Sequence, residues 1–280
     1  MMKLQTRKDF IRNAAALTAG AAFMPGFLTA APVQNVGIQL YSVRNDMLAD
    51  APGTLKKLAA IGFKNLESAG SEKGSYYGLQ PKEFKKIASD LGMKLLSGHV
   101  HIDPKNWQKT VDEAAESGQT YLICSVMPSE GQTVSNYKRA AAVFNKSAEI
   151  AAKSNLVFGY HNHESEFEKE NGQVLYDVLL NETDPAKVKF EMDLGWLILA
   201  GSDPAVYFKK YPGRFPLWHL KDMSKTARHS TEFGKGDIDL KALLAQAKAA
   251  GMKNYFVEQE EYTVPALQAM QYDFDFLKKL

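Results

Sequence analysis

The sequence predicts a single α/β domain folded as a (β/α)8 or TIM barrel, and three observations support this. Short apolar or β-branched runs recur eight times, and a stretch with apolar residues at helical spacing follows each run. Residues 32–280 have the length of one such barrel, which typically takes about 250 residues. No Pro/Ser-rich linker interrupts the alternation, so we expect one domain over residues 32–280.

The eight runs have the length and composition of buried parallel strands. In chain order they cover residues 36–41, 65–68, 94–100, 120–126, 157–163, 188–194, 216–221 and 254–258. A doubly wound sheet, the competing architecture, requires a glycine-rich phosphate-binding turn after its first strand. The first run instead continues into Tyr41-Ser42-Val43-Arg44. The closed barrel is therefore favoured.

The intervening helices are predicted from apolar residues at a spacing of 3.6. They cover residues 51–60, 81–91, 107–117, 134–153, 174–180, 205–211, 240–249 and 266–277. Pro81 stands in a first turn, where a missing N–H is tolerated, and Pro204 stands at the start of another helix. Gly92 and Gly251 each follow a helix and precede a strand, as a C-cap glycine does. These signals fix where several of the helices begin and end.

Residues 1–31 have the layout of an export signal. A stretch of basic residues precedes an Ala-rich run over 14–23, and small residues follow at 29–31. The run is too short to span a bilayer. Residues 6–11 are similar to a twin-arginine signal with Lys8 in the second basic position. We expect an exported, periplasmic protein that begins near Pro32, and the alternative is an amphipathic N-terminal helix.

The charge of the remaining chain argues against two classes of partner. Four of the 34 basic and one of the 32 acidic residues lie in residues 1–31, which leaves 30 against 31. Nucleic-acid and membrane-surface binding both need a concentrated basic footprint. We therefore expect neither partner, nor a membrane span in the mature chain, while a homo-oligomer is allowed. The single cysteine, Cys124, excludes an internal disulfide and a thiolate zinc site.

Polar side chains follow the last four predicted strands. In a (β/α)8 barrel the site is built where the strands end, so these residues are the ones to interpret. One side chain per strand gives a set of mixed nitrogen and oxygen ligands: His161, Asp193, His219 and Glu258. Such a set suits one divalent metal, Mn²⁺, Co²⁺, Zn²⁺ or Mg²⁺. His163 or Glu164 is an alternative to His161, or an addition to it.

Short phrases at the strand ends resemble the sugar phosphate isomerase/epimerase superfamily of xylose isomerase-like barrels. They are Val36-Gly37-Ile38-Gln39-Leu40-Tyr41, Asn65-Leu66-Glu67, Ser97-Gly98-His99-Val100, Tyr160-His161-Asn162-His163-Glu164, Phe190-Glu191-Met192-Asp193, Trp218-His219-Leu220-Lys221-Asp222, Gly234-Lys235-Gly236-Asp237-Ile238-Asp239 and Phe256-Val257-Glu258. The resemblance implies one divalent metal held by Glu, Asp, His and Glu. Asp193, His219 and Glu258 match three of these places, and His161 stands where a Glu is usual.

The chemistry implied is removal of a proton next to a carbonyl, with the enediolate stabilised by the metal. Glu258 is the expected general base, and His163, Glu164 and His99 are candidates for a second proton relay. Lys221 is expected to bind a substrate hydroxyl or the enediolate, the alternative being a salt bridge with Asp222 or Glu191. Residues expected to bind hydroxyl groups at the opposite side of the mouth are Gln39, Tyr41, Arg44 and Glu67.

The expected function is therefore a metal-dependent isomerase or epimerase of a small-molecule carbohydrate. Export favours an unphosphorylated sugar or keto-sugar, because phosphorylated sugars are mainly intracellular. Two alternatives stay open: a dehydratase or lyase of the same superfamily acting on keto-sugars or keto-glycosides, and a non-catalytic sugar-binding protein. His161 in the place of a glutamate favours the lyase alternative, since a symmetrical epimerase needs a carboxylate on each face of the reacting carbon.

Overall fold

The computed structural model describes residues 35–280, and these form the predicted barrel. Eight parallel strands follow one another in chain order, and the first strand pairs with the eighth to close the sheet. The strands are Gly37–Gln39, Asn65–Ser68, Lys94–Val100, Tyr121–Cys124, Val157–His161, Val188–Asp193, Leu217–Leu220 and Asn254–Val257. The prediction of a single (β/α)8 fold is confirmed. The predicted export signal lies outside the described residues.

Several strands end earlier than the sequence predicts. The first strand stops at Gln39, because the Gln39 side chain accepts a hydrogen bond from the backbone N–H of Tyr41 (3.0 Å) and starts the 3₁₀ turn Leu40–Val43. The eighth ends at Val257, so Glu258 lies just beyond the ladder. Gln39 and Glu258 therefore lie at the last residue of a strand or just beyond it, at the mouth of the barrel.

The helices pack around the outside of the barrel. They are Arg44–Ala49, Ala51–Ile61, Pro81–Asp90, Trp107–Glu116, Val134–Lys153, Leu175–Glu182, Leu194–Leu199, Pro204–Lys210, Leu240–Ala250 and Ala266–Leu277. Two of them, Arg44–Ala49 and Leu194–Leu199, are not predicted from periodicity because each has only six residues. Within the described part of the chain, none of these helices combines the length and the apolar character needed to cross a bilayer.

Two small hairpins lie at the mouth of the barrel. Lys169–Glu170 pairs with Gln173–Val174 after the fifth strand, and Asp222–Ser224 pairs with His229–Thr231 after the seventh. The first hairpin turns at Asn171-Gly172, both at positive φ, which is the residue pair that a two-residue hairpin loop favours.

The core has two parts. A large apolar layer lies between the sheet and the helices, and a separate small cluster contains Leu96, Ile123, Leu217 and Phe256. The ring of His219 packs edge-on against Phe256, with ring centroids 6.0 Å apart. The small apolar cluster therefore packs against His219.

Candidate active site

The four predicted ligands come together at the carboxyl ends of neighbouring strands. His161, Asp193, His219 and Glu258 each offer one donor atom, and these atoms all lie within 4.8 Å of one another. All four side chains are buried. A second group of four, His99, His161, Glu191 and His219, meets the same distance criterion and shares both histidines with the first. We call the first group the outer set and the second the inner set.

Asp193 is fixed by its neighbours in an orientation suitable for a ligand. Its Oδ1 accepts the backbone N–H of Trp196 (2.8 Å) and so caps the helix Leu194–Leu199. Its backbone N–H and C=O both bond to the side chain of Asn162, each at 3.2 Å. The remaining oxygen, Oδ2, faces His161 Nε2 at 3.9 Å and Lys221 Nζ at 3.0 Å.

Each ring nitrogen of His219 faces a carboxylate. Nδ1 lies 2.8 Å from Glu258 Oε2, in the outer set. Nε2 lies 2.6 Å from Glu67 Oε2 and 3.1 Å from Glu191 Oε2 on the other side. Although burial favours the neutral ring, attraction to Glu191, Glu258 and Glu67 raises the pKa of His219 well above its ordinary value. His219 thus contacts a carboxylate of each set, Glu258 in the outer set and Glu191 in the inner set.

Glu191 of the inner set and Glu67, which lies next to that set, share His99. His99 Nε2 lies 2.7 Å from Glu191 Oε2 and 3.3 Å from Glu67 Oε2. Burial opposes the charged ring, but Glu67 and the hydrogen bond to Glu191 raise the pKa of His99 to about 9. Burial and the negative charge of Glu67 raise the pKa of Glu191. Against its own burial, the pKa of Glu67 is held below its usual range by His99 and His219. The inner group is a compact network of carboxylates and imidazoles.

The structure places the predicted substrate-binding residues at different depths. Gln39 and Glu67 are fully buried, and Gln39 Nε2 donates to Glu67 Oε2 at 2.9 Å. The side chain of His99 is 11% exposed. Tyr41 is 39% exposed and stacks against the Arg44 guanidinium at 4.4 Å. Among these, Tyr41 is the side chain that the solvent at the rim reaches most readily.

Lys221 is fully buried among carboxylates. Its Nζ lies 3.0 Å from both Asp193 Oδ2 and Glu258 Oε2, and it also donates to Glu260 Oε1. The alternative partners considered from the sequence, Asp222 and Glu191, are not the ones found. Asp222 turns away from the site and accepts three backbone N–H groups, those of Gly234, Gly236 and Ile238.

His163 and Glu164 lie at the rim of the mouth. The His163 ring is exposed and sits 4.9 Å, centroid to centroid, from that of His161. Glu164 forms an ion pair with Arg228 of the second hairpin. Their predicted roles in proton transfer stay predictions.

Two residues of the site are missed when one ligand per strand is chosen. Glu191 lies two residues before Asp193 and points to the same face of the sixth strand, so strand alternation already indicates it. Glu260 lies two residues after Glu258, beyond the strand, where alternation no longer applies. It is found only from its contact with Lys221.

The buried polar atoms of the site fit a divalent cation. The Oε1 atoms of Glu67 and Glu191 have no hydrogen-bond partner, and Asp193 Oδ2 and His161 Nδ1 have only ion-pair contacts, with Lys221 Nζ at 3.0 Å and Glu191 Oε2 at 3.2 Å. Unpaired buried polar groups are costly. Two carboxylates and two imidazoles converging in the outer set are a donor set that Zn²⁺, Mn²⁺ or Co²⁺ accepts.

Comparisons with known proteins find relatives in sequence and structures with the same fold. The chain is 25% identical over 247 residues to an inosose dehydratase of Geobacillus thermodenitrificans, covering 74% of this chain and 80% of that protein. The crystal structure of a sugar phosphate isomerase/epimerase from Parabacteroides distasonis superposes with a TM-score of 0.78 at 30% identity, covering 88% of this chain and 98% of that one. The IolI protein, whose crystal structure contains a zinc atom, shares the fold with a TM-score of 0.70 at 15% identity, covering 88% and 98%.

The sequence profile of the xylose isomerase-like TIM barrel family matches residues 55–280, which contain seven of the eight strands and all four residues of the outer set. The chain therefore belongs to the xylose isomerase-like TIM barrel family, as its strand-end phrases predicted.

Proposed function

We propose that this protein is a metal-dependent lyase that acts on an unphosphorylated keto-sugar or keto-glycoside. A proton is removed from the carbon beside the carbonyl, and the hydroxyl or alkoxy group on the next carbon takes up a proton and leaves. One C–H and one C–O bond break, one C=C and one O–H bond form, and water or an alcohol is released. The inosose dehydratase relative, which covers most of both chains, supports this class of reaction.

The observation that carries the proposal is the one-sided arrangement of carboxylates in the outer set. Glu258 lies beyond the eighth strand, whereas the fifth strand contributes His161. Epimerisation by two bases needs a proton acceptor on one face of the carbon and a donor on the other. Elimination needs one base and a route for the leaving group. A set with His161 in place of a second glutamate suits elimination better.

Glu258 is the residue that would take the proton. Its Oε2 is held by His219 Nδ1 at 2.8 Å and by Lys221 Nζ at 3.0 Å, which leaves Oε1 for the substrate. Against the effect of burial, Lys221 and His219 hold the pKa of Glu258 well below its usual range, so the carboxylate is ionised at neutral pH. A positioned ionised carboxylate is what a general base requires.

A divalent cation would be held by His161, Asp193, His219 and Glu258. When bound, it would supply Lewis-acid stabilisation of the negative charge that develops on the substrate oxygen. Lys221, buried beside Asp193 and Glu258, adds a fixed positive charge next to the same carboxylates. Positive charge placed in advance stabilises the enolate without reorganisation.

The cationic side chains around the mouth support a substrate without a phosphate. Arg228 is paired with Glu164, and Lys221 is surrounded by carboxylates. Arg44 donates to the backbone carbonyls of Tyr41 and Glu260 at 3.0 and 3.1 Å. These three described cations are already engaged, so a phosphate would have to displace an existing partner to bind them.

An epimerase or isomerase is the second candidate. The Parabacteroides distasonis sugar phosphate isomerase/epimerase is 30% identical over most of both chains. The exposed His163 ring, next to His161, would then return the proton to the opposite face. This assignment needs the same base, Glu258, and differs only in the fate of the enolate.

Product analysis in deuterated water separates the two candidates. The purified protein, loaded in turn with Zn²⁺, Mn²⁺ and Co²⁺, is incubated with a panel of inososes, keto-sugars and keto-glycosides. The lyase releases water or an alcohol and forms an unsaturated ketone, which absorbs in the ultraviolet. The epimerase incorporates deuterium and forms a stereoisomer without releasing anything. Binding without exchange or release would contradict both and indicate a binding protein.

A further inference from the structure

Side chains on the first and second strands support the ring of His219. Gln39 and Glu67 lie on the first and second strands, directly opposite each other in register, while His219 lies on the seventh. Gln39 Nε2 donates to Glu67 Oε2 at 2.9 Å, and the same oxygen is 2.6 Å from His219 Nε2. Both Gln39 and Glu67 are fully buried.

The geometry determines which nitrogen of His219 is free to bind a cation. A neutral imidazole has one N–H group and one lone pair. Both ring nitrogens face a carboxylate oxygen, Nε2 that of Glu67 and Nδ1 that of Glu258. Glu258 is a member of the outer set and Glu67 is not. A cation in the outer set would therefore replace the proton between Nδ1 and Glu258, and the proton between Nε2 and Glu67 would stay.

We propose that Glu67, held by Gln39, is a positioning residue for His219: it accepts the Nε2–H group and leaves the Nδ1 lone pair for a divalent cation in the outer set. This role rests on the proposed metal-dependent function. It differs from the substrate contact that the sequence suggests for the same two residues. Carboxylates behind ligand histidines fix the ring orientation and its tautomer, and their loss typically weakens metal binding by about 10- to 100-fold.

The choice between the two overlapping groups follows from the same contacts. In the inner set, the His99 and His219 nitrogens already face carboxylate oxygens at 2.7 and 2.6 Å. Glu67 is not a member of the inner set, so its hydrogen bond would compete with a cation for His219 Nε2. In the outer set the carboxylate that faces His219 Nδ1 is Glu258, itself a ligand of that set. Glu67 thus favours a cation in the outer set.

Binding of Co²⁺ tests this role without measuring turnover. The dissociation constant is measured by competition with a chelator, and the visible absorption of bound Co²⁺ reports the ligand geometry. Glu67→Leu should weaken Co²⁺ binding by about 10- to 100-fold and alter the spectrum. Glu67→Gln should weaken it less, because its amide oxygen can still accept the Nε2–H group. Gln39→Met should have the smallest effect of the three.

Asp273→Asn is the matched control. Asp273 is also a fully buried carboxylate, but it accepts the backbone N–H of Phe233 and touches none of the histidines. Its substitution should leave Co²⁺ affinity and spectrum unchanged. Circular dichroism establishes that each variant is folded, and Glu67→Gln and Gln39→Met keep the test decisive if Glu67→Leu does not fold.

Two results would overturn the positioning role alone. One is wild-type Co²⁺ affinity and spectrum in folded Glu67 variants, with affinity lost in Asp193→Asn. The other is unchanged Co²⁺ binding in the Glu67 variants accompanied by a raised KM, which would mean that Glu67 contacts substrate. A wild-type protein that binds no Co²⁺ would overturn the proposed metal-dependent function together with the positioning role.

Discussion

The half of the mouth formed by strands five to eight carries the outer set, whereas strands two and three contribute Glu67 and His99, which contact His219 of that set. His161 and Asp193 end their strands, and Glu258 lies one residue past its strand. Glu67 lies one residue before the end of the second strand and is fully buried. His219 has the same place on the seventh strand and is equally buried, so its contacts, and not its position along the strand, distinguish a ligand from the side chain that supports it.

The carboxylates of the outer set also differ from their two neighbours, Glu67 on the second strand and Glu191 on the sixth, in how their charge is compensated. In the outer set, Lys221 lies 3.0 Å from both Asp193 and Glu258. Glu67 and Glu191 are compensated by His99 and His219. A lysine is a permanent cation at neutral pH, while a histidine can also act as a neutral ligand. Only the histidines can therefore contact Glu67 or Glu191 and also bind a metal.

The largest expected effect is on the outer half. Asp193→Asn removes a ligand charge and should abolish detectable binding of a divalent metal, and with it the activity, while the fold is retained. Metal content after dialysis, measured by mass spectrometry, checks this. Full metal stoichiometry in Asp193→Asn would show that the outer set is not the metal site, and the contrast between the two halves would then fail.

The second prediction concerns the proton. Glu258→Gln keeps an oxygen that can still ligate but removes the base, so metal binding should be weakened but detectable. Exchange of the substrate α-hydrogen with deuterated water should fall by ~100-fold or more. Exchange at the wild-type rate would mean that Glu258 is only a ligand, and the base would then be sought at His163 or Glu164.

A third prediction addresses the asymmetry within the outer set. His161→Glu places a carboxylate on the fifth strand, so two carboxylates flank the substrate instead of one. Metal should still bind, since carboxylate replaces imidazole as a ligand. We expect the ratio of stereoisomer to elimination product to rise, as measured by chromatography of the reaction mixture. An unchanged ratio would indicate that His161 does not decide the fate of the enolate.

The fold and the outer set could be predicted from the sequence, and the reasons are physical. Strand and helix alternation is a periodic signal that covers the whole domain, and residues at strand ends necessarily meet at one face of a closed barrel. Asp193 and His219 are brought together by that topology alone, since their strands are neighbours in the sheet. The predicted ligands come from four successive strands for the same reason.

The sequence could not predict which side chains meet across the interior of the barrel. Glu67 and His219 are 152 residues apart, and no local pattern indicates that their side chains meet. Lys221 likewise has partners on two other strand ends rather than its chain neighbour Asp222. The Asn171-Gly172 hairpin, by contrast, carried a local turn signal that could have been used.

The smallest expected effect concerns Asp273, the reference carboxylate outside both halves. Burial raises its pKa from 3.8 to about 7, and the nearby carboxylates Glu232 and Asp222 act in the same direction, against the hydrogen bond from the Phe233 backbone N–H. Between these pH values the folded state binds a proton that the unfolded state has released, so the free energy of unfolding falls as the pH rises from about 4 to about 7.

Asp273→Asn removes this dependence. In chelator-treated protein, the melting temperature of the variant relative to wild type should therefore be higher at pH 8 than at pH 5. The histidine network is the same in both proteins, so its own titration cancels in this difference. A difference in melting temperature that does not change with pH would mean that Asp273 is ionised at both values, and that burial alone does not distinguish it from Glu67.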